Sequence, residues 1–203
     1  MDKLILLGST CNVTFATKKL NINKESGVFE WLFSFNFNDI TKLIEDKFEN
    51  IEAAHYNGSN VCIKGTDIYT SHYSLSDYND IVKRRSLRFL DDIKSTSNIL
   101  FTRIEFRNSE VPFITKEQIE RFIKAIYNVN PHCKFKILLI RHLLNEDDNT
   151  IEYVVNDKVI NKTIEKYDRI VEPEGGDIEN LKNIINECNF NFDYNGSQYG
   201  DRL

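Results

Sequence analysis

Asn98-Ile-Leu-Phe-Thr-Arg-Ile-Glu-Phe106 is an apolar run, and Phe135-Lys-Ile-Leu-Leu-Ile140 is a second one. Between them, Thr115-Lys-Glu-Gln118 matches a capping box, and Ile119, Phe122, Ile123 and Ile126 follow at one-face helical spacing. Asn130-Pro131 ends that helix. Strand, helix and strand joined by short loops predict a right-handed βαβ unit, because parallel strands need a crossover connection.

Outward from this unit, Lys3-Leu-Ile-Leu-Leu7 predicts a buried strand that stops at the turn Gly8-Ser9. Cys11–Leu20 follows as a short helix. The stretch Val28-Phe-Glu-Trp-Leu-Phe-Ser-Phe35 is the densest aromatic segment and suits a strand. Asn38 is expected to cap a helix with Ile40, Leu43, Ile44 and Phe48 inward. Val61–Ile63 suits a short strand, Asp67–Tyr73 a loop or edge strand, and Asn79–Lys94 a helix. A hairpin turn is expected at Asn156-Asp157, and a last helix over Asp177–Cys188. The expected fold is α/β in three layers, a mostly parallel sheet with helices on both faces. Residues 1–172 would form the main domain, with 173–203 a C-terminal helix and polar tail packed on it.

Composition narrows the function. The chain has 203 residues, 41% hydrophobic and 28% charged, enough for a core without metal or disulfide staples. No apolar run approaches the roughly 20 residues of a membrane span, and Leu4–Leu7 is too short for a signal-peptide core. A net charge of −5 weighs against general nucleic-acid binding. Cys11, Cys62, Cys133 and Cys188 are scattered, with no zinc-type spacing, so no metal or cofactor is expected and a reducing cytoplasm fits. Phosphate-loop, dinucleotide, zinc-protease and serine-elbow motifs are absent.

Cys11 follows a strand and a tight turn where a helix begins. Ligands of open parallel sheets bind beyond the carboxyl ends of strands, and a helix N-terminus favours a thiolate. The competing reading is a small buried hydrophobe. A nucleophilic thiol needs a base, and spacing leaves His55, His72, His132 and His142 open. Glu30, between Phe29 and Trp31, is either a desolvated carboxylate or a solvent-facing strand residue. Arg84, Arg85, Arg88 and Arg103 could bind an anion or form a solvated charge face; Arg84 and Arg88 stand one turn apart.

Several blocks together resemble one family. They are Leu6-Leu-Gly-Ser-Thr-Cys-Asn-Val13, Ser26-Gly-Val-Phe-Glu-Trp-Leu-Phe-Ser34, Ser71-His-Tyr73, Lys83-Arg-Arg-Ser-Leu-Arg-Phe89 and Ile99-Leu-Phe-Thr-Arg103. In this order they resemble the papain-like cysteine peptidases first described as a domain of unknown function in bacteria and large DNA viruses. The resemblance implies Cys11 as nucleophile, His72 as base and Glu30 as the residue that orients it. Glu30 stands where the family has Asp, and Tyr73 follows the histidine where the family has Asp. The βαβ pattern itself looks more like a Rossmann-like sheet of the SGNH-hydrolase kind than like papain.

The expected activity is therefore a cysteine-dependent hydrolase or acyltransferase. Amides near Cys11, with Ser9 and Asn12, would bind the oxyanion. Trp31 and the four arginines would hold a peptide, acyl or anionic substrate. The alternative is a non-catalytic module binding a nucleotide or other anion, such as a viral protein that sequesters a host signal in the host cytoplasm. A third reading makes the aromatic Phe29–Phe37 stretch a protein-contact surface.

Overall fold

The computed structural model describes residues 2–22, 25–95, 98–107, 113–143, 148–155, 158–165 and 178–190. The elements in chain order are β1 (Lys3–Leu6), α1 (Cys11–Lys19), α2 (Phe37–Glu45), β2 (Ala53–Tyr56), β3 (Asn60–Ile63), β4 (Tyr69–Thr70), α3 (Leu75–Lys94), β5 (Asn98–Arg107), α4 (Lys116–Val129), β6 (Lys134–Leu143), β7 (Asp148–Val155), β8 (Lys158–Glu165) and α5 (Ile178–Glu187). The fold is mixed α/β with a parallel sheet segment and helices. The larger sheet has the order β1-β5-β6-β7-β8, and β2-β3-β4 form a small antiparallel sheet.

The predicted strand–helix–strand unit is present. β5 and β6 pair in parallel from Asn98↔Lys134 to Arg107↔Leu143, and β1 pairs in parallel with β5 on the other side. Thr115 and Gln118 form the reciprocal capping box that opens α4. The expected mostly parallel sheet is corrected, because β6·β7 and β7·β8 are antiparallel. The connections there are too short for a crossover, so the chain doubles back. The predicted turn residues Asn156-Asp157 lie outside the described residues, between β7 and β8.

Alternation along the three parallel strands sorts the core. Ile5, Leu7, Ile99, Phe101, Ile137 and Leu139 pack with the apolar faces of α2, α3 and α4. Leu4, Leu6, Leu100, Ile104, Leu138 and Ile140 pack with Ala16 of α1 and with Leu181, Ile184 and Ile185 of α5. Strands buried on both faces read as continuous apolar runs for this reason.

Three local expectations are corrected. α2 begins at Phe37 because Asn36 caps it, accepting from the Asn38 amide, so Asn38 is not the cap. α3 begins at Leu75 because the Ser74 hydroxyl accepts from the Asp77 amide. The aromatic stretch is not a strand: residues 28–31 form turns, Trp31 has φ +66°, and only Phe33 bridges to Tyr69.

Candidate functional site

β1 ends in a turn with two consecutive left-handed residues, Gly8 (φ +69°) and Ser9 (φ +91°). Such angles cost little at glycine but strain Ser9. Gly8 is also needed for space, since a Cβ there would collide with Ser34 Oγ. The Ser9 amide donates to Ser34 Oγ (2.9 Å), and the Ser34 amide donates to Ser9 O (3.2 Å). Thr10 is the N-cap of α1 but makes no side-chain cap bond, and Cys11 is the first helical residue. Asn12 lies in the same turn, with its side chain outside the described residues.

Cys11 is partly exposed, whereas Cys62, Cys133 and Cys188 are buried. Burial pushes the Cys11 thiol above its ordinary value, and the hydrogen bond from its own amide opposes that rise. Desolvation is the larger of these two effects. Burial drives the Cys133 thiol further, up to about 11.

Trp31 is the hub beside α1. Its amide donates to Thr14 Oγ1 (3.4 Å), Phe15 meets its ring edge-on at 4.8 Å, and the Lys18 ammonium lies 4.4 Å from the ring centroid. Thr14, Phe15 and Lys18 follow Cys11 at helical spacings of three, four and seven, so they continue its face of α1. Exposed His72 also packs edge-on to the Trp31 ring, at 5.4 Å. Buried Thr70 fixes that placement: its hydroxyl donates to Trp31 O (2.8 Å) and accepts from the His72 amide (3.1 Å). Phe33 and Tyr69 exchange backbone hydrogen bonds at 2.8 and 3.0 Å, tying the Trp31 loop to β4.

Glu30 is buried in a turn, which corrects the solvent-facing alternative. Its Oε1 accepts from the Gly27 amide (2.7 Å). Burial raises its pKa, while that hydrogen bond and the cations of Arg85, Lys18 and Arg88 pull it down.

Arg85, Arg88 and Arg103 each donate to backbone carbonyls. Arg85, not Arg84, turns inward, donating to Gly27 O and Tyr73 Oη at 3.2 Å each. Arg88 donates to Ser26 O (2.5 Å) and pairs with Glu25 (2.8 Å). Arg84 is exposed. Arg103 is buried and donates to Leu7 O (2.6 Å), to Ser34 Oγ (3.2 Å), and to the carbonyls of Ser34 and Phe35. Burial lowers its pKa to about 10, and Glu105 opposes this.

Of the remaining histidines, His55 and His132 are exposed, and the His142 side chain lies outside the described residues. Sequence reasoning missed Thr70, Ser34, Phe15 and Lys18. Thr70 stands two residues before His72, but its partner Trp31 is distant in sequence, so no local signal marks it. Among the described residues, no group of three His, Cys, Asp or Glu could hold a metal ion. No described helix is long and apolar enough to cross a membrane.

Residues 2–57 match a family described as "Putative papain-like cysteine peptidase". That match runs from β1 through β2, so it contains Cys11, Glu30 and Trp31 and stops before His72 and Arg103. No curated protein and no solved structure matches the chain.

Proposed function

We propose that the chain is a cysteine-dependent hydrolase or acyltransferase acting on a peptide or other acyl substrate. The observation that carries this is that Trp31 contacts both the helix that Cys11 opens and His72. The family matched over residues 2–57 supports the same chemistry. The sheet, with α2–α4 on one face and α1 and α5 on the other, is read as three layers. The nucleophile then stands beyond the carboxyl end of an outer parallel strand, the SGNH-like placement.

The thiol is protonated at rest because burial raises its pKa. His72 takes the proton as Cys11 Sγ bonds to the substrate carbonyl carbon. The carbonyl oxygen becomes an oxyanion, held by amides in the first turn of α1, the end of the helix whose N–H groups point outward. The Ser9 amide is already given to Ser34, so it is not among them. Collapse breaks the bond to the leaving group, which takes the proton from His72. Water or an acceptor nucleophile, deprotonated by His72, then releases the acyl group from sulfur. Glu30 contributes by closing the turn that presents Trp31. The four free thiols suit a reducing cytoplasm.

The test is the pH dependence of iodoacetamide alkylation, located by mass spectrometry, in wild type and His72→Ala. General-base assistance of even about tenfold at pH 7 is expected to disappear from Cys11 in the variant. Equal rates in both proteins would overturn the hydrolase reading in favour of the anion-binding module, for which a thermal-shift screen with nucleotides is the next measurement.

A further inference from the structure

Arg103 is the most deeply committed cation among the described residues. It projects from β5 just past the point where the Leu7 amide donates to Thr102 O (2.8 Å), the last rung between the β1 end and β5. Its guanidinium donates to the carbonyl of Leu7, immediately before the left-handed turn, and to both the Oγ and the carbonyl oxygen of Ser34. Ser34 Oγ in turn receives the Ser9 amide. The same guanidinium lies 5.5 Å from the ring centroid of Phe37, the first residue of α2. One side chain thus locks the end of β1, the Ser34–Phe35 loop and, through Ser34, the conformation of Ser9.

We propose that Arg103 is a positioning residue for Cys11: its guanidinium fixes the Gly8–Ser9 turn and thereby the start of α1. What the cysteine does once positioned rests on the hydrolase reading; how it is positioned does not. A planar fork with several donors is required, because one group must serve carbonyls from two separate loops. Lysine would carry the charge but reach one acceptor. Its burial among backbone carbonyls also removes Arg103 from direct substrate contact.

The test compares Cys11 alkylation across pH in wild type, Arg103→Lys and Arg103→Ala, with Cys133 and Cys188 as buried references in the two separate cores. In Arg103→Lys the Cys11 midpoint is expected to fall toward the free-thiol value as the turn loosens, while both reference thiols stay slow. In Arg103→Ala, millimolar guanidinium chloride is expected to restore the wild-type Cys11 profile, and sodium chloride is not. An unchanged Cys11 profile in Arg103→Lys would overturn the proposal. So would acceleration of all three cysteines together in both variants, which would make Arg103 a support of the whole fold. Because no arm uses His72, the hydrolase reading can fail without touching this result.

Discussion

The β5–α4–β6 unit and the turn that carries Cys11 lie side by side and are built by opposite means. The unit is held by apolar surface: Phe101, Phe122 and Phe37 pack ring to ring at 5.2 and 5.3 Å, all buried. The turn is held by polar groups that have left water. Arg103 grips carbonyls beneath it, Ser34 fixes Ser9, and Thr70 joins Trp31 to His72. Apolar packing is non-directional and tolerates shifts. Hydrogen bonds of buried groups are directional, and leaving one unmade is costly. A region meant to hold an angle therefore uses the second kind, and a region meant to supply cohesion uses the first.

The strongest way to break this contrast is Phe122→Ala. Loss of a buried ring at the α4 contact is expected to cost about 3–5 kcal/mol in urea unfolding. The Cys11 alkylation profile of the remaining folded protein should be unchanged. A shifted profile would mean that core and turn are one unit. Gly8→Ala makes the reciprocal cut. A Cβ at φ +69° that also meets Ser34 Oγ is expected to cost roughly 1–3 kcal/mol, less than the ring deletion. Yet it should move the Cys11 profile, and an unmoved profile would show that the turn geometry does not set the thiol.

Glu30→Gln sharpens the comparison with the smallest effect. The folded carboxyl has a raised pKa, so the folded chain binds its proton more tightly than the unfolded chain does. Its contribution to stability is therefore fullest below the ordinary carboxylate pKa and is lost as pH rises through the folded value. Glutamine keeps an oxygen for the Gly27 amide and removes the buried charge. The variant is expected to melt higher than wild type at pH 7, with the gap closing toward pH 4; a variant that melts lower at pH 7 would show that Arg85, Lys18 and Arg88 outweigh desolvation.

The same division decided what could be read in advance. The β5–α4–β6 unit, the Thr115–Gln118 box and the inward faces of α4 and α5 follow from local spacing, so their residues announce them. Cys11 at the head of a helix after Gly8-Ser9 was legible for the same reason. The Ser74–Asp77 cap was present in the sequence and would have placed the start of α3 correctly. The aromatic Val28–Phe35 stretch misled because hydrophobicity does not distinguish a strand from a buried turn; the left-handed Trp31 is imposed by its neighbours. The choice of Arg85 over Arg84 as the inward arginine is a rotation of one helical position, set by Gly27 and Tyr73 from outside the helix. Arg103 reaches its partners across 96 and 69 positions of chain, where spacing carries no information.

That long reach has a consequence for the order of events during synthesis. Cys11 leaves the ribosome well before its neighbour strand β5 and before Arg103. Lys3 waits for Ile99, and Leu7 O waits for the guanidinium 96 positions later. Chains fold as their segments emerge, so this corner cannot assemble on a short nascent chain. A polypeptide broken off before β5 would carry Cys11 without the strand and the guanidinium that hold its turn.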